Sequence, residues 1–376
     1  MKTAKEDIVV DVDVAVDADV DVDVDVDVDV DVDVDVDVDV DVDVDVDVDV
    51  DVDVDVDVDV DVDVDVHEGY VALPSLLYIE APYQRYLNFP DAEGILQTID
   101  LDVQPDFQLL NEIENDSANN LYSLFTRANP TSPQTLVMDD AESITASNFN
   151  PERPTVVIVH GWVSNQNTGI NTVIRDAHLE KADCNVIVLD WEKLASSDYV
   201  TASFGVPAVG QGLGRFLAFL NSVTEAPYSS MHLVGFNLEA HIVGNAGKEL
   251  GGQVARITGL DPSGPLWTGN QNRLNASDAV YVEGIHTDGP SGVNPTYGLG
   301  IGIPIGTADF FPNGGYSQPG CLTSICDHNR SWELYRASVT YNHLIGRKCV
   351  NMVQMLMNIC RGTSFHMGND NLTKSE

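Results

Sequence analysis

The chain has 376 residues, 43% of them hydrophobic, and a formal charge of −43. Residues 1–66 hold 29 acids against Lys2 and Lys5, a charge of −27, which leaves −16 on the other 310 residues. The second value suits an acidic folded domain with room for a core. The sign of the charge excludes a basic nucleic-acid footprint, and no run of 18 apolar residues is present to span a membrane.

Residues 17–66 read almost purely Asp-Val. Strict alternation is the strand period. However, a continuous row of carboxylates repels itself, and the valine face has no second sheet to cover it. The segment is therefore expected to be a disordered polyanion. Low-affinity Ca²⁺ binding is the functional alternative, weakened because the repeat has no glycines to fold a loop round an ion. Residues 1–10 have a basic start but no apolar run of signal-peptide length. Residues 67–376 are expected to form a single domain.

A Tyr- and Pro-rich lead-in gives way to regular punctuation. Thr155–Val159 is a β-branched run bounded by Pro154 and Gly161, read as a buried strand. A helix is predicted over 171–181, a strand over 185–190 and a helix over 206–220. A strand at 231–234 leads into a helix at 238–250, and strands follow at 254–260 and 280–287. Strands alternating with helices of this length predict an α/β fold with a mostly parallel sheet covered on both faces. Gly210, Gly212 and Gly214 superficially resemble a phosphate loop, but no strand leads into them, and they read as the opening of a helix.

The cysteines are Cys184, Cys321, Cys326, Cys349 and Cys360. None has the spacing of a zinc knuckle, so no metal is expected. Cys321–Cys326 and Cys349–Cys360 are spaced for short local disulfides, which imply an oxidising compartment. Cys184 is left over beside its strand. Acceptor sequons at Asn115, Asn275, Asn329 and Asn371 agree with secretion.

Chemistry is concentrated in three places. Gly235-Phe236-Asn237-Leu238-Glu239 joins a strand to a helix, the setting of a nucleophile elbow. Asp261, in Gly259-Leu260-Asp261-Pro262, follows a strand's carboxyl end. His328 is expected in a loop within Cys326-Asp327-His328-Asn329-Arg330-Ser331. The order elbow, acid, histidine is that of α/β-hydrolases. His160-Gly161-Trp162 follows the first strand, where the backbone amide of Trp162 would complete an oxyanion hole with that of Leu238. His160 reads as ordering that loop, and His241 as a core residue.

Residues 120–345 resemble the pancreatic-lipase family, especially its insect members. The likeness rests on His160-Gly161-Trp162, 185–191, 235–248, 259–262, 304–315, 318–321 and 326–331. The resemblance implies an α/β-hydrolase fold, secretion, no cofactor, and hydrolysis of acylglycerols or phospholipids with transient contact at lipid surfaces. Asp261 and His328 fall on the family's triad acid and histidine. The family's serine falls on Asn237 and its second elbow glycine on Glu239.

A carboxamide cannot be deprotonated to attack a carbonyl, and a carboxylate at position 239 would oppose the charge developing in the oxyanion hole. Cys321 and Cys326 enclose only Leu322, Thr323, Ser324 and Ile325, so the lid is minimal, which in the family goes with phospholipase A1-like or broad esterase activity. The 48 residues after His328 are too few for the family's carboxyl-terminal β-sandwich. The chain also stops where insect relatives continue into a further strand. Two functions stay open: a lipid-binding protein without catalysis, and an active carboxylic ester hydrolase.

Overall fold

The computed structural model of the protein describes residues 85–90, 96–116, 119–166, 169–290, 298–368, 372 and 374. The Asp-Val repeat and the Asn371 sequon lie outside the described residues. In chain order, a hairpin of β1 (Tyr86–Pro90) and β2 (Leu96–Asp100) precedes α1 (Phe107–Asn115). Then come β3 (Leu121–Phe125), β4 (Gln134–Leu136), α2 (Ala141–Thr145), β5 (Thr155–Val159), α3 (Gly169–Lys181) and β6 (Asn185–Asp190). The centre of the chain supplies α4 (Glu192–Ala195), α5 (Tyr199–Thr224), β7 (Met231–Phe236), α6 (Leu238–Glu249), β8 (Arg256–Leu260) and β9 (Tyr281–Ile285). It closes with β10 (Ala308–Phe310), α7 (Ser324–Tyr341), β11 (Ile345–Arg347), α8 (Met352–Leu356) and β12 (Ser364–His366).

Eight of these strands form one sheet in the order β10-β9-β8-β7-β5-β6-β3-β4. From β10 to β6 all pairs are parallel, and β3 and β4 add an antiparallel edge. Side chains alternate across the sheet as the strand period requires. Val157, Val159, Ile187, Leu189 and Leu233 join a core with α5 and α6. Val156, Ile158, Val186, Val188 and Val234 join a second core with Ile174 and Leu179 of α3 and Tyr335 and Val339 of α7. Both faces are covered, which is why the strands read as unbroken apolar runs. This is the α/β-hydrolase fold that the sequence implied.

The strand order positions the site. From β5 the chain crosses to β6 on one side, then returns past β5 to β7 on the other. The loops leaving β5 and β7 therefore diverge and open a crevice at the carboxyl ends of these two strands, where open α/β sheets hold their ligands.

Helix α5 departs from expectation. It starts at Tyr199, where the Asp198 side chain accepts from the Thr201 amide at 2.9 Å, and it runs through Pro207. The helix predicted over 206–220 covers its middle and later turns and misses the first ones. Gly210 and Gly214 do not open this helix but lie inside it, where α5 crosses α6. A Cβ on Gly210 would lie 2.5 Å from both Asn245 Cβ and the Ile242 carbonyl, and one on Gly214 would lie 2.6 Å from Glu249 Cβ. The glycines exist for close helix contact. Gly210→Ala gains about 1 kcal/mol of helix propensity, but overpacking against backbone costs about 1–3 kcal/mol. Chemical denaturation should show net destabilisation, whereas Gly269→Ala, with nothing within 4 Å, should leave the midpoint unchanged.

Candidate active site

Asn237 ends β7 and caps α6 with φ 63° and ψ −125°, a conformation that points its side chain out over the sheet edge. The turn is pinned from several sides. The Asn237 amide donates to the Leu260 carbonyl at 3.1 Å, and its carbonyl accepts from Ser263 at 3.2 Å and Ala240 at 3.3 Å. Gly235 is required beneath it, since a Cβ there would lie 2.2 Å from the Glu239 carbonyl oxygen.

The structure brings Asn237, His328 and Asp261 into one hydrogen-bonded line. Asn237 Nδ2 lies 2.6 Å from His328 Nε2, and His328 Nδ1 lies 2.5 Å from Asp261 Oδ2. An amide nitrogen only donates. His328 Nε2 is therefore the acceptor, and the ring proton is on Nδ1, donated to Asp261. The other end of the carboxamide is also engaged, because Asn237 Oδ1 accepts from the Leu238 backbone amide at 2.5 Å. His328 is not in a loop as expected. It lies in the first turns of α7, whose start is capped by Thr323 and stapled by the Cys321–Cys326 disulfide.

Behind Asp261 lies support that sequence reasoning missed. Asp261 Oδ1 accepts from the backbone amides of Thr287 at 2.7 Å and Asp288 at 3.1 Å, just beyond β9. Asp288 in turn accepts from Ser324 Oγ at 2.7–2.8 Å and from the Leu299 amide at 2.8 Å, tying the β9 loop to the start of α7. Burial, and then the charge of Asp261, push the Asp288 carboxyl up to about 8. The only sequence signal was its position after a strand, shared with Asp261. Asp261, Asp288 and His328 each offer a ligand atom within 4.8 Å of the others, but all three are engaged in the hydrogen bonds just described.

The β5 loop is anchored by His160. Its Nδ1 donates to the Gly161 carbonyl at 3.0 Å, and its Nε2 lies 3.0 Å from Asp190 Oδ1 and 2.9 Å from the Trp191 amide. Trp162 Nε1 donates to the Ser197 carbonyl at 3.0 Å. His160 orders the loop, as its sequence context suggested. His241, on α6, is fully buried and stacked on Trp267 at 4.2 Å. Its Nε2 donates to the Ser263 carbonyl and its Nδ1 accepts from the Leu274 amide. Burial lowers its pKa to about 3, keeping it neutral.

Glu239 corrects an expectation. It is fully buried, and neither carboxyl oxygen closes a hydrogen bond. Burial drives its pKa well above the ordinary value, while the nearby backbone amides of Glu239 itself and Trp162 pull weakly the other way. That shift favours the protonated form beside the Trp162 amide over the charge that the sequence suggested.

The remaining predicted features are also placed. Both expected disulfides are present, and Cys184 is free and buried. Among the described residues no helix is long and apolar enough to cross a membrane. A cavity of about 780 Å³ lies between β10 and the β11–β12 hairpin, lined by Phe310, Leu334, Met352 and Met355 and by none of Asn237, Asp261 or His328.

The chain is similar in sequence to known lipases and phospholipases. A family model described as Lipase matches residues 99–370. Pancreatic lipase-related protein 2 of Cavia porcellus is 38% identical over 226 residues, covering 59% of this chain and 51% of that one. Phospholipase A1 member A of Bos taurus is 36% identical over 268 residues, covering 68% and 56%. Pancreatic triacylglycerol lipase of Homo sapiens is 37% identical over 234 residues, covering 60% and 50%. The chain spans about half the length of the curated relatives it matches.

The neutral state of Glu239 is measurable. Above its ordinary value of 4.5 the unfolded chain releases this proton and the folded chain does not, so stability falls as pH rises toward the folded-state pKa. Glu239→Gln cannot titrate. Thermal melts across pH should show the variant gaining on the wild type by up to about 1.4 kcal/mol per pH unit above that value, with the two closest in acid.

Proposed function

The chain belongs to the lipase family, an ester-hydrolase family of lipid metabolism, and from that premise we propose that it binds lipid or carboxylic ester ligands without hydrolysing them. Acyl transfer needs a hydroxyl that the histidine can deprotonate, plus donors aimed where the oxyanion will form. One observation carries the reading: the Asn237 carboxamide spans His328 Nε2 and the Leu238 amide. In our reading position 237 is that of the nucleophile, with Asp261 and His328 completing the triad and the Trp162 and Leu238 amides forming the oxyanion hole. The histidine then faces a group with no acidic hydroxyl, Asn237 Oδ1 takes one hole donor, and Glu239 faces the other.

Ester-bearing lipids as the ligand class are supported by the relatives' names, pancreatic triacylglycerol lipase and phospholipase A1. The short segment between Cys321 and Cys326 favours the phospholipid side of that class. The two disulfides support secretion.

The test is turnover of short-chain esters and phospholipids, with binding followed by a fluorescent lipid analogue. The wild type should bind the analogue and hydrolyse no more ester than His328→Gln. Asn237→Ser with Glu239→Gly should raise turnover by roughly 10³-fold or more. Wild-type hydrolysis that disappears in His328→Gln would sink the proposal, and an inert double variant would displace Asp261 and His328 from their proposed roles.

A further inference from the structure

The contacts that leave ester hydrolysis without a nucleophile place the Asn237 carboxamide as a substrate. We propose that Asn237 is a self-modification site, at which His328 and Asp261 direct water to hydrolyse the side-chain amide and leave an aspartate at the elbow. This draws on the same His328–Asp261 pair as the proposed function but not on the absence of ester turnover.

Three elements of amide hydrolysis are assembled around one group. Asn237 Oδ1, the oxygen that becomes negative on attack, accepts from the Leu238 amide at 2.5 Å, at the positive end of α6. Nδ2, the nitrogen that must leave, lies 2.6 Å from His328 Nε2. Nε2 carries no proton, because Nδ1 holds the ring proton against Asp261 Oδ2. Once a water displaces Nδ2 from Nε2, His328 can take a proton from it and later deliver that proton to the departing nitrogen, with Asp261 stabilising the imidazolium between the two steps. Asn237 is buried, with 4% of its surface exposed, and the attacking water must enter through that narrow opening.

The step balances without any partner but water. A water molecule gives one proton to His328 Nε2, and its oxygen bonds to Asn237 Cγ. The C=O electron pair moves onto Oδ1. As the pair returns, the Cγ–Nδ2 bond breaks, Nδ2 takes the proton from Nε2, and ammonia leaves. One water is consumed, one ammonia is released, and nothing is oxidised or reduced.

The usual competing route is cyclisation, in which the next backbone nitrogen attacks Cγ and the ring then opens to a mixture of aspartate and isoaspartate. Here that nitrogen belongs to Leu238, the first residue of α6, and its N–H points at Oδ1. Ring closure would require this turn to unwind. The product expected from the folded protein is therefore aspartate alone.

The experiment is a time course of the purified full chain at neutral pH in ordinary and heavy-oxygen water, read by peptide mass mapping across position 237. The wild type should exchange the amide for a carboxyl carrying one heavy oxygen, with no isoaspartate. It should do so about 10²-fold faster than the same position in denatured protein. His328→Gln should fall to the denatured rate. Should that variant fail to fold, the wild type decides by itself: conversion in the folded chain must outrun that in denatured protein and yield aspartate without isoaspartate. An amide that survives as long as in denatured protein, conversion unaffected by His328→Gln, or an isoaspartate mixture overturns the proposal. None of these outcomes bears on ester turnover, which is measured separately.

Discussion

The strained turn at Asn237 is the constraint on which the site depends. Holding a non-glycine residue at φ 63°, ψ −125° costs on the order of 1–3 kcal/mol, and it persists only because the surroundings over-determine it. Those surroundings are backbone: the carbonyl of Leu260, the amides of Ser263 and Ala240, and the close approach allowed by Gly235. Because backbone and not side chain holds the turn, the residue projected from it can be an amide without loss of geometry. Asn is also one of the few side chains tolerated at positive φ.

What the amide changes is the use of its neighbours. The Asp261–His328 pair keeps a directed hydrogen bond, backed by Thr287 and Asp288 and locked to α7 through Ser324. Its proton acceptor faces Asn237 Nδ2. One more buried group bears on the same edge. Glu239 has no hydrogen bond for either carboxyl oxygen, a condition that costs about 1–3 kcal/mol even for a neutral group. The turn thus carries one residue at positive φ and one buried acid without a closed hydrogen bond. The cores on both faces of the sheet are extensive enough to tolerate this.

Particular residues show how far the chain could be read in advance. Thr155–Val159 and Asn185–Asp190 were plain as buried strands because both faces of a parallel sheet are covered, so their central positions are all apolar. Gly210 and Gly214 were misplaced because a glycine looks the same to a sequence whether it starts a helix or lets one helix touch another. His328 was expected in a loop because the capping signal at Thr323 is separated from it by a disulfide-bounded stretch that reads as irregular. Asp288 went unnoticed because nothing in its own neighbourhood distinguishes it. Its importance comes from Asp261 and Ser324, which are 27 and 36 residues away.

The sequence by itself determined the fold class, the order of elbow, acid and histidine, both disulfide pairs and the chemical identity at position 237. These are properties of local pattern and residue type, and they survive any packing. Only the tertiary structure decided which way the carboxamide turns, that Nε2 and not Nδ1 of His328 faces it, and that burial raises the Glu239 pKa. Those outcomes follow from distances between β5, β7, β8 and α7, and from how completely solvent is excluded where they meet. Proton positions and pKa values respond to both of these, and neither is encoded in any short stretch of chain.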